Sequence, residues 1–175
     1  MPSNKSQICM PDPSRSPRWP PRLRFVYRFS PIFFVTFVTA NRKRWLANEE
    51  AHHSFLTFAE RASREHQICV GRYVIMPDHV HLLVRGGPEF RLSRWVGMLR
   101  RWIARDISAG SNTSTQREPE PAWQEGFFDH VLRSDESLSE KTEYIRENPV
   151  RAGLVQNVND WPFGGCLNVL THASP

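Results

Sequence analysis

Two apolar runs, Ile68 to Met76 and His79 to Val84, follow one another with only a break at Met76-Pro77-Asp78 between them. Proline lacks an amide hydrogen and suits a turn or the start of a strand, so the runs read as two successive strands. Whatever this chain folds into must place that pair inside a sheet. The flanking segments supply the remaining layers. Phe33 to Thr39 is dense in β-branched and aromatic residues and reads as another buried strand. Between it and the pair, Ala51, Phe55, Phe58 and Ala62 fall on one stripe of a helix spanning about 48 to 65.

After the pair, a second helix is expected from Pro88 to about Ser108, with Leu92, Val96, Leu99 and Ile103 as its core stripe. A short strand, Phe127 to Leu132, follows. A third helix then runs from Asp135 to Asn148 and is expected to stop at Pro149. The first six elements, in order, match an α+β ferredoxin-like split β-α-β. That fold is an antiparallel sheet with helices packed on one face and the other face open to a ligand. The C-terminal helix is additional.

At 175 residues the chain is long enough for one domain and too short for two ordinary ones. Residues 1–24 are rich in Pro, Ser and Arg and read as a disordered basic arm. The domain is then expected over 25–165, with a low-complexity loop at 110–121 and a tail at 166–175. A net charge of +5 suits a polyanionic partner. Arg15, Arg18, Arg22 and Arg24 on the arm, with Arg94, Arg101 and Arg105 along one helix face, are candidates to contact nucleic acid or are simply solvated. Cys9, Cys69 and Cys166 are scattered and odd in number, which argues against a disulfide framework and a thiolate zinc site. With no signal peptide and no run long enough to span a membrane, the expectation is a cytoplasmic protein without a membrane partner.

In His79-Val80-His81, strand alternation sends both imidazoles to one face and Val80 to the core. The pair could chelate one divalent ion, or be two unrelated histidines. Chelation by two imidazoles leaves positions open for water and substrate oxygens, which suits a metal that polarises a phosphate. Asp78 could orient an imidazole, but a role in the turn is favoured. On the third helix, Leu138 and Ile145 define the buried line, and Tyr144 lies roughly 100–120° from it, on the flank. Such a tyrosine could be a packing residue or a nucleophile. Asn148, one turn on, shares its side of the helix. Lys141 could lie near a phosphate or be solvated. For His130, Trp123, Trp161 and Phe163, packing is favoured.

The phrase ending in His79-Val80-His81, followed some sixty residues later by Tyr144-Ile145-x-x-Asn148-Pro149-Val150-Arg151-Ala152-Gly153-Leu154, resembles the REP-associated tyrosine transposases of the HUH single-tyrosine superfamily. Trp123-Gln124, Phe128-Asp129-His130-Val131-Leu132-Arg133 and Trp161-Pro162-Phe163 also look like family landmarks. The likeness runs from about Phe33 to Phe163.

The resemblance implies an enzyme that cuts and rejoins single-stranded DNA folded into hairpins. His79 and His81 would hold magnesium or manganese, and Tyr144 would attack phosphorus to form a 5′-phosphotyrosine. Asn148 is the candidate third metal contact, because two imidazoles leave most of an octahedral ion unfilled. No nucleotide cofactor is needed, since the covalent link conserves the energy of the broken bond. A monomer is expected over a homodimer, associated with the nucleoid if the source is bacterial. Two competing readings are a domesticated module that binds hairpins without cutting, and a metal hydrolase that uses water as its nucleophile.

Overall fold

The computed structural model describes residues 31–110 and 121–172. The arm, with Arg15, Arg18, Arg22 and Arg24, lies outside the described residues, as does the loop segment 111–120. The elements are β1 (Ile32–Val38), α1 (Glu49–His66), β2 (Cys69–Ile75), β3 (His79–Arg85), α2 (Leu92–Gly110), β4 (Phe128–Leu132), α3 (Asp135–Arg151) and β5 (Gly164–Cys166). Short 3-10 turns occupy Ala40–Arg42 and Val158–Asp160. The strands pair in the order β4-β1-β3-β2-β5, antiparallel throughout. Without β5, this is the expected ferredoxin-like sheet.

Strand alternation sorts the side chains into two layers. Val35, Phe37, Val80, Leu82 and Val84 point to one face, where Phe55 of α1 and Val96, Leu99 and Ile103 of α2 close over them with no exposure. The opposite face carries Ile32, Phe34, Val74, Leu83 and Leu132, and there Leu138 and Ile145 of α3 bury. The expected free face is therefore partly roofed by α3, which touches β2, β3 and β4. Among the described residues, no helix is long and apolar enough to cross a membrane.

Helix boundaries follow local chemistry. Asn48 caps α1, its side-chain oxygen accepting from the Ala51 amide at 2.8 Å. Helix α2 begins later than expected because Gly87 to Phe90 close a turn first, the Phe90 amide donating to the Gly87 carbonyl at 3.0 Å. Pro149 does not stop α3, contrary to expectation; the helix runs on to Arg151. A proline in the last turn removes only its own amide bond, and the chain can continue briefly past it. The stop comes at Gly153, which adopts φ +68°. Its amide donates to Val150 and that of Leu154 to Pro149, both at 2.9 Å, the pairing of a Schellman motif.

The C-terminal segment is not a free tail over its described part. Leu170 is buried in the α3-side layer, and the Asn168 side chain donates to the Val70 carbonyl at 2.8 Å. Gly71 makes room for it, because a Cβ there would lie 2.8 Å from a Leu170 methyl carbon. The sequence reading missed β5, whose three residues are Gly-Gly-Cys and carry no hydrophobic pattern.

Candidate active site

The Pro77-Asp78 connection between β2 and β3 is held from outside. Thr39, fully buried just past β1, donates its amide to the Asp78 carbonyl at 2.9 Å, and its hydroxyl lies between the carbonyls of Lys43, at 2.7 Å, and Asp78, at 3.0 Å. The Leu46 amide donates to the Pro77 carbonyl at 3.0 Å. The connection is thereby fixed, and β3 starts in a set register with His79 opposite Val38 and His81 opposite Thr36.

Both histidines project to the α3 side, their ring centres 4.7 Å apart. Each is oriented through Nδ1. His79 Nδ1 lies 2.6 Å from the Asp78 carboxylate, whose other oxygen accepts from Arg42 at 3.1 Å. His81 Nδ1 lies 2.7 Å from the Thr36 hydroxyl. Asp78 is thus an orienting group, and its backbone carbonyl, not its carboxylate, serves the turn. This reverses the preference drawn from sequence. Burial acts to raise the Asp78 carboxyl, but the bond and charge of His79, together with Arg42, outweigh it and hold it below its ordinary value. His81 is buried, and burial first, then His79 and Lys141, push its pKa down to about 3 against a smaller opposing pull from Asp78. It stays neutral near pH 7, the form in which imidazole binds a metal.

Among the described residues, the Nε2 atom of neither ring has a hydrogen-bond partner. With Nδ1 occupied from behind and Nε2 free, the pair matches the donor set of a metal site with its outer contacts in place. Among the described residues, no cluster of three or more His, Cys, Asp or Glu could hold a metal. A third protein donor drawn from the described residues would therefore be of another type.

Helix α3 brings Tyr144 to this pair. Its capping box, with the Ser134 hydroxyl and the Ser137 amide 3.1 Å apart, sets the start, and Leu138 and Ile145 seat the helix on the sheet. The Tyr144 ring then stands edge-on to His81 at 5.4 Å and to Phe34 at 6.0 Å. Phe34 in turn stacks on His81 at 5.5 Å. The phenol is half-buried, and its hydroxyl has no hydrogen-bond partner among the described residues. Two cations flank it: Lys141 Nζ at 5.4 Å and the Arg151 guanidinium at 5.6 Å from the ring centre. Asn148 lies on the same helix and is half-buried. Because α3 runs on to Arg151, Asn148 is not its terminator, and its side chain makes no hydrogen bond among the described residues.

The helix arginines lie elsewhere. Arg94, Arg101 and Arg105 are exposed on α2, beyond the core and on the far side of the sheet from His79 and His81. Arg101 and Arg105 line a cleft of about 400 Å³ with Trp95 and Trp102, and Arg105 stacks on Trp102 at 4.3 Å. The aromatic landmarks are packing residues, as expected. Trp123 sits edge-on to Phe37 and Trp45 and donates to the Arg100 carbonyl at 2.9 Å, while Trp161 donates to the Ile75 carbonyl at 3.1 Å. His130 is exposed on β4, opposite Phe34. Sequence reasoning missed Thr36 and Phe34, because only the β1–β3 register puts them beside His81.

Comparison with known proteins gives the family and the fold. A Haemophilus influenzae protein provisionally named a REP-associated tyrosine transposase is 30% identical over 95 residues, covering 51% of this chain and 53% of that protein. The REP-associated tyrosine transposase of Escherichia coli is 28% identical over 106 residues, covering 59% of this chain and 57% of that one. The chain thus spans little more than half the length of these curated relatives. The solved structure of a REP-associated tyrosine transposase bound to a REP hairpin shares the fold, with TM-score 0.58 and 24% identity over 78% of this chain and 76% of that one. The family model for IS200-like transposases matches residues 29–148, well over half of the sequence and inclusive of both histidines, Tyr144 and Asn148. The chain therefore belongs to the IS200-like transposase family.

Proposed function

We propose that this protein cuts and rejoins single-stranded DNA that folds into REP-like hairpins, with Tyr144 as the covalent nucleophile. The observation that carries the reading is the meeting of Tyr144 with the histidine pair, its ring 5.4 Å from that of His81 and its hydroxyl unengaged. Attack by the phenol oxygen on phosphorus forms the Tyr–O–P bond and breaks the bond to the 3′ oxygen. A 5′-phosphotyrosine and a free 3′-hydroxyl result, with the phenol proton lost and one gained by the leaving oxygen. The reverse attack rejoins the strand, so no nucleotide cofactor is consumed.

His79 and His81 would hold magnesium or manganese, which polarises the phosphate and stabilises the charge developing on it. The chain's own residues do the positioning: Asp78 and Thr36 fix the imidazoles, and Phe34 packs against both His81 and the phenol ring. The relative whose structure holds a REP hairpin supports hairpin DNA as the substrate class. The exposed arginines of α2 lie behind the sheet, so they have no part in the chemical step.

Tyr144→Phe removes the reactive oxygen alone. It should retain hairpin binding and melting temperature while abolishing both cleavage and the DNA adduct that survives denaturing electrophoresis. Cleavage by the Phe protein near the wild-type rate would transfer the role to water and the enzyme to the metal hydrolases. Hairpin binding by the wild-type chain with no cleavage at all would make it a binding module.

A further inference from the structure

The α3 face of the sheet carries one more side chain that the fold does not require. Phe128 is 59% exposed, one of only two large hydrophobic residues so exposed among the described residues. Leaving a phenyl ring in water forfeits the burial that would stabilise the fold. Its place is specific. Phe128 is opposite Thr36 on β1, and Thr36 is opposite His81 on β3, so the three share one row across the sheet. Strand spacing puts Phe128 about 10 Å from His81 along that row. The Phe128 ring meets Phe34 edge-on at 6.2 Å, and Phe34 touches both His81 and Tyr144.

A cation stands at the same place. Lys141 Nζ lies 5.1 Å from the Phe34 ring centre and 5.4 Å from that of Tyr144, with no acidic partner among the described residues. The one carboxylate on β4, Asp129, alternates to the opposite face and so does not oppose Lys141 here. An open aromatic face beside an unpaired ammonium is the pairing that grips a single-stranded nucleotide: the ring takes the base and the cation takes the phosphate.

We propose that Phe128 and Lys141 form a nucleotide subsite on the β4 side of Tyr144, where an unpaired base adjoining the cut phosphate stacks on Phe128 and Lys141 meets a phosphate oxygen. The subsite rests on the strand-cutting reading for the identity of that phosphate. It makes Phe128 a determinant of which unpaired base lies next to the cut, selecting a flat base over an abasic or paired position.

The test uses the full chain carrying Tyr144→Phe, so that no strand is consumed, and a DNA hairpin with a single-stranded flank. 2-Aminopurine replaces each flank base in turn, and stacking quenches its fluorescence. One flank position should be quenched strongly. Phe128→Ala should remove that quench and weaken binding about tenfold, Phe128→Leu should behave like Ala, and Phe128→Trp should restore both. Because the side chain is exposed, the melting temperature should not move. With Tyr144 intact, Phe128→Ala should raise KM and leave kcat nearly unchanged. Lys141→Ala should lower the slope of log affinity against log salt by about one, and Lys141→Arg should restore it.

Quenching that is absent everywhere, or unchanged in Phe128→Ala, overturns the subsite. So does a concentration-dependent dimer that Phe128→Ala dissolves with KM unaltered, which would make this edge a contact between copies. A Phe128-dependent quench in a protein that forms no adduct would keep the subsite and reject the strand-cutting reading. An adduct indifferent to Phe128 would do the reverse.

Discussion

On β3, Val80, Leu82 and Val84 point beneath α1 and α2 with no exposure, whereas His79 and His81, one residue out of phase, point beneath α3. A single strand thus serves two layers under different rules. The α1/α2 layer is close-packed hydrocarbon and aromatic surface, with Val35, Phe37, Leu82, Leu99 and Ile103 sealed from water. The α3 layer has a smaller apolar seat, Leu138 and Ile145 against Leu83 and Leu132. Next to that seat it holds a buried imidazole, an unpartnered phenol hydroxyl and a lysine over two rings. Close packing is concentrated away from the groups proposed to react. The groups proposed to react should therefore be changeable with little cost to the fold, and the core should be open to damage without touching them.

The largest effect should come from the chemical side. Replacing both His79 and His81 with Ala should take metal-dependent cleavage below detection while the protein stays folded, because neither ring belongs to the hydrocarbon core. Excess manganese should partly restore either single variant and never the double. Full cleavage by the double variant under thorough chelation would remove the metal from the reaction.

The complementary change is Leu82→Ala, one residue along the same strand. Leu82 is fully buried, and loss of its branched end leaves a cavity that costs about 2–5 kcal/mol. Denaturant midpoints should fall accordingly, while the fraction still folded cleaves with unaltered metal dependence. A changed metal requirement in that fraction would mean that the two layers are coupled through the strand.

Much of this division is legible in the sequence. Alternation around Val80 assigns the faces, and the stripes of α1 and α2 name their buried residues directly. Two of the readings that failed did so for reasons local to single residues. Pro149 looked like a stop because it lacks an amide hydrogen, yet the terminus depends on which residue can adopt positive φ, and that is Gly153. Asp78 looked like a turn residue because it follows Pro77. Its carboxylate instead meets His79 and Arg42, while its backbone carbonyl accepts from the Thr39 amide. Thr36 could not be found at all without the β1–β3 register, 45 residues away in sequence from its partner. Pair geometry local to one strand can be read from sequence; the supporting groups behind it come from tertiary register.

Those supporting groups give the next smaller effect. Asp78→Asn keeps the shape but replaces the carboxylate on His79 Nδ1 with an amide. The metal concentration for half-maximal cleavage should rise about 10–100-fold, the usual cost of losing an outer carboxylate, with the melting temperature little changed. An unaltered metal requirement would confine Asp78 to its ion pair with Arg42.

The smallest effect is expected at Asn148, and it probes how far the reactive layer extends along α3. Two imidazoles leave most of an octahedral magnesium to other donors, and the described residues supply no third His, Cys, Asp or Glu. Asn148 is one turn beyond Tyr144, on its side of the helix, and its amide is not committed to any hydrogen bond there. Its place inside α3 also alters what a structural role predicts. Were it the terminator, Asn148→Ala would lower the melting temperature. Since the helix continues to Arg151, alanine, the better helix former, should hold or slightly raise it. A ligand role, direct or through water, then shows in metal dependence alone. The half-maximal concentration should rise, by less than for Asp78→Asn, with the rate at saturating metal nearly recovered. A fall in melting temperature with metal dependence intact would return Asn148 to the helix and leave the third position to water and phosphate.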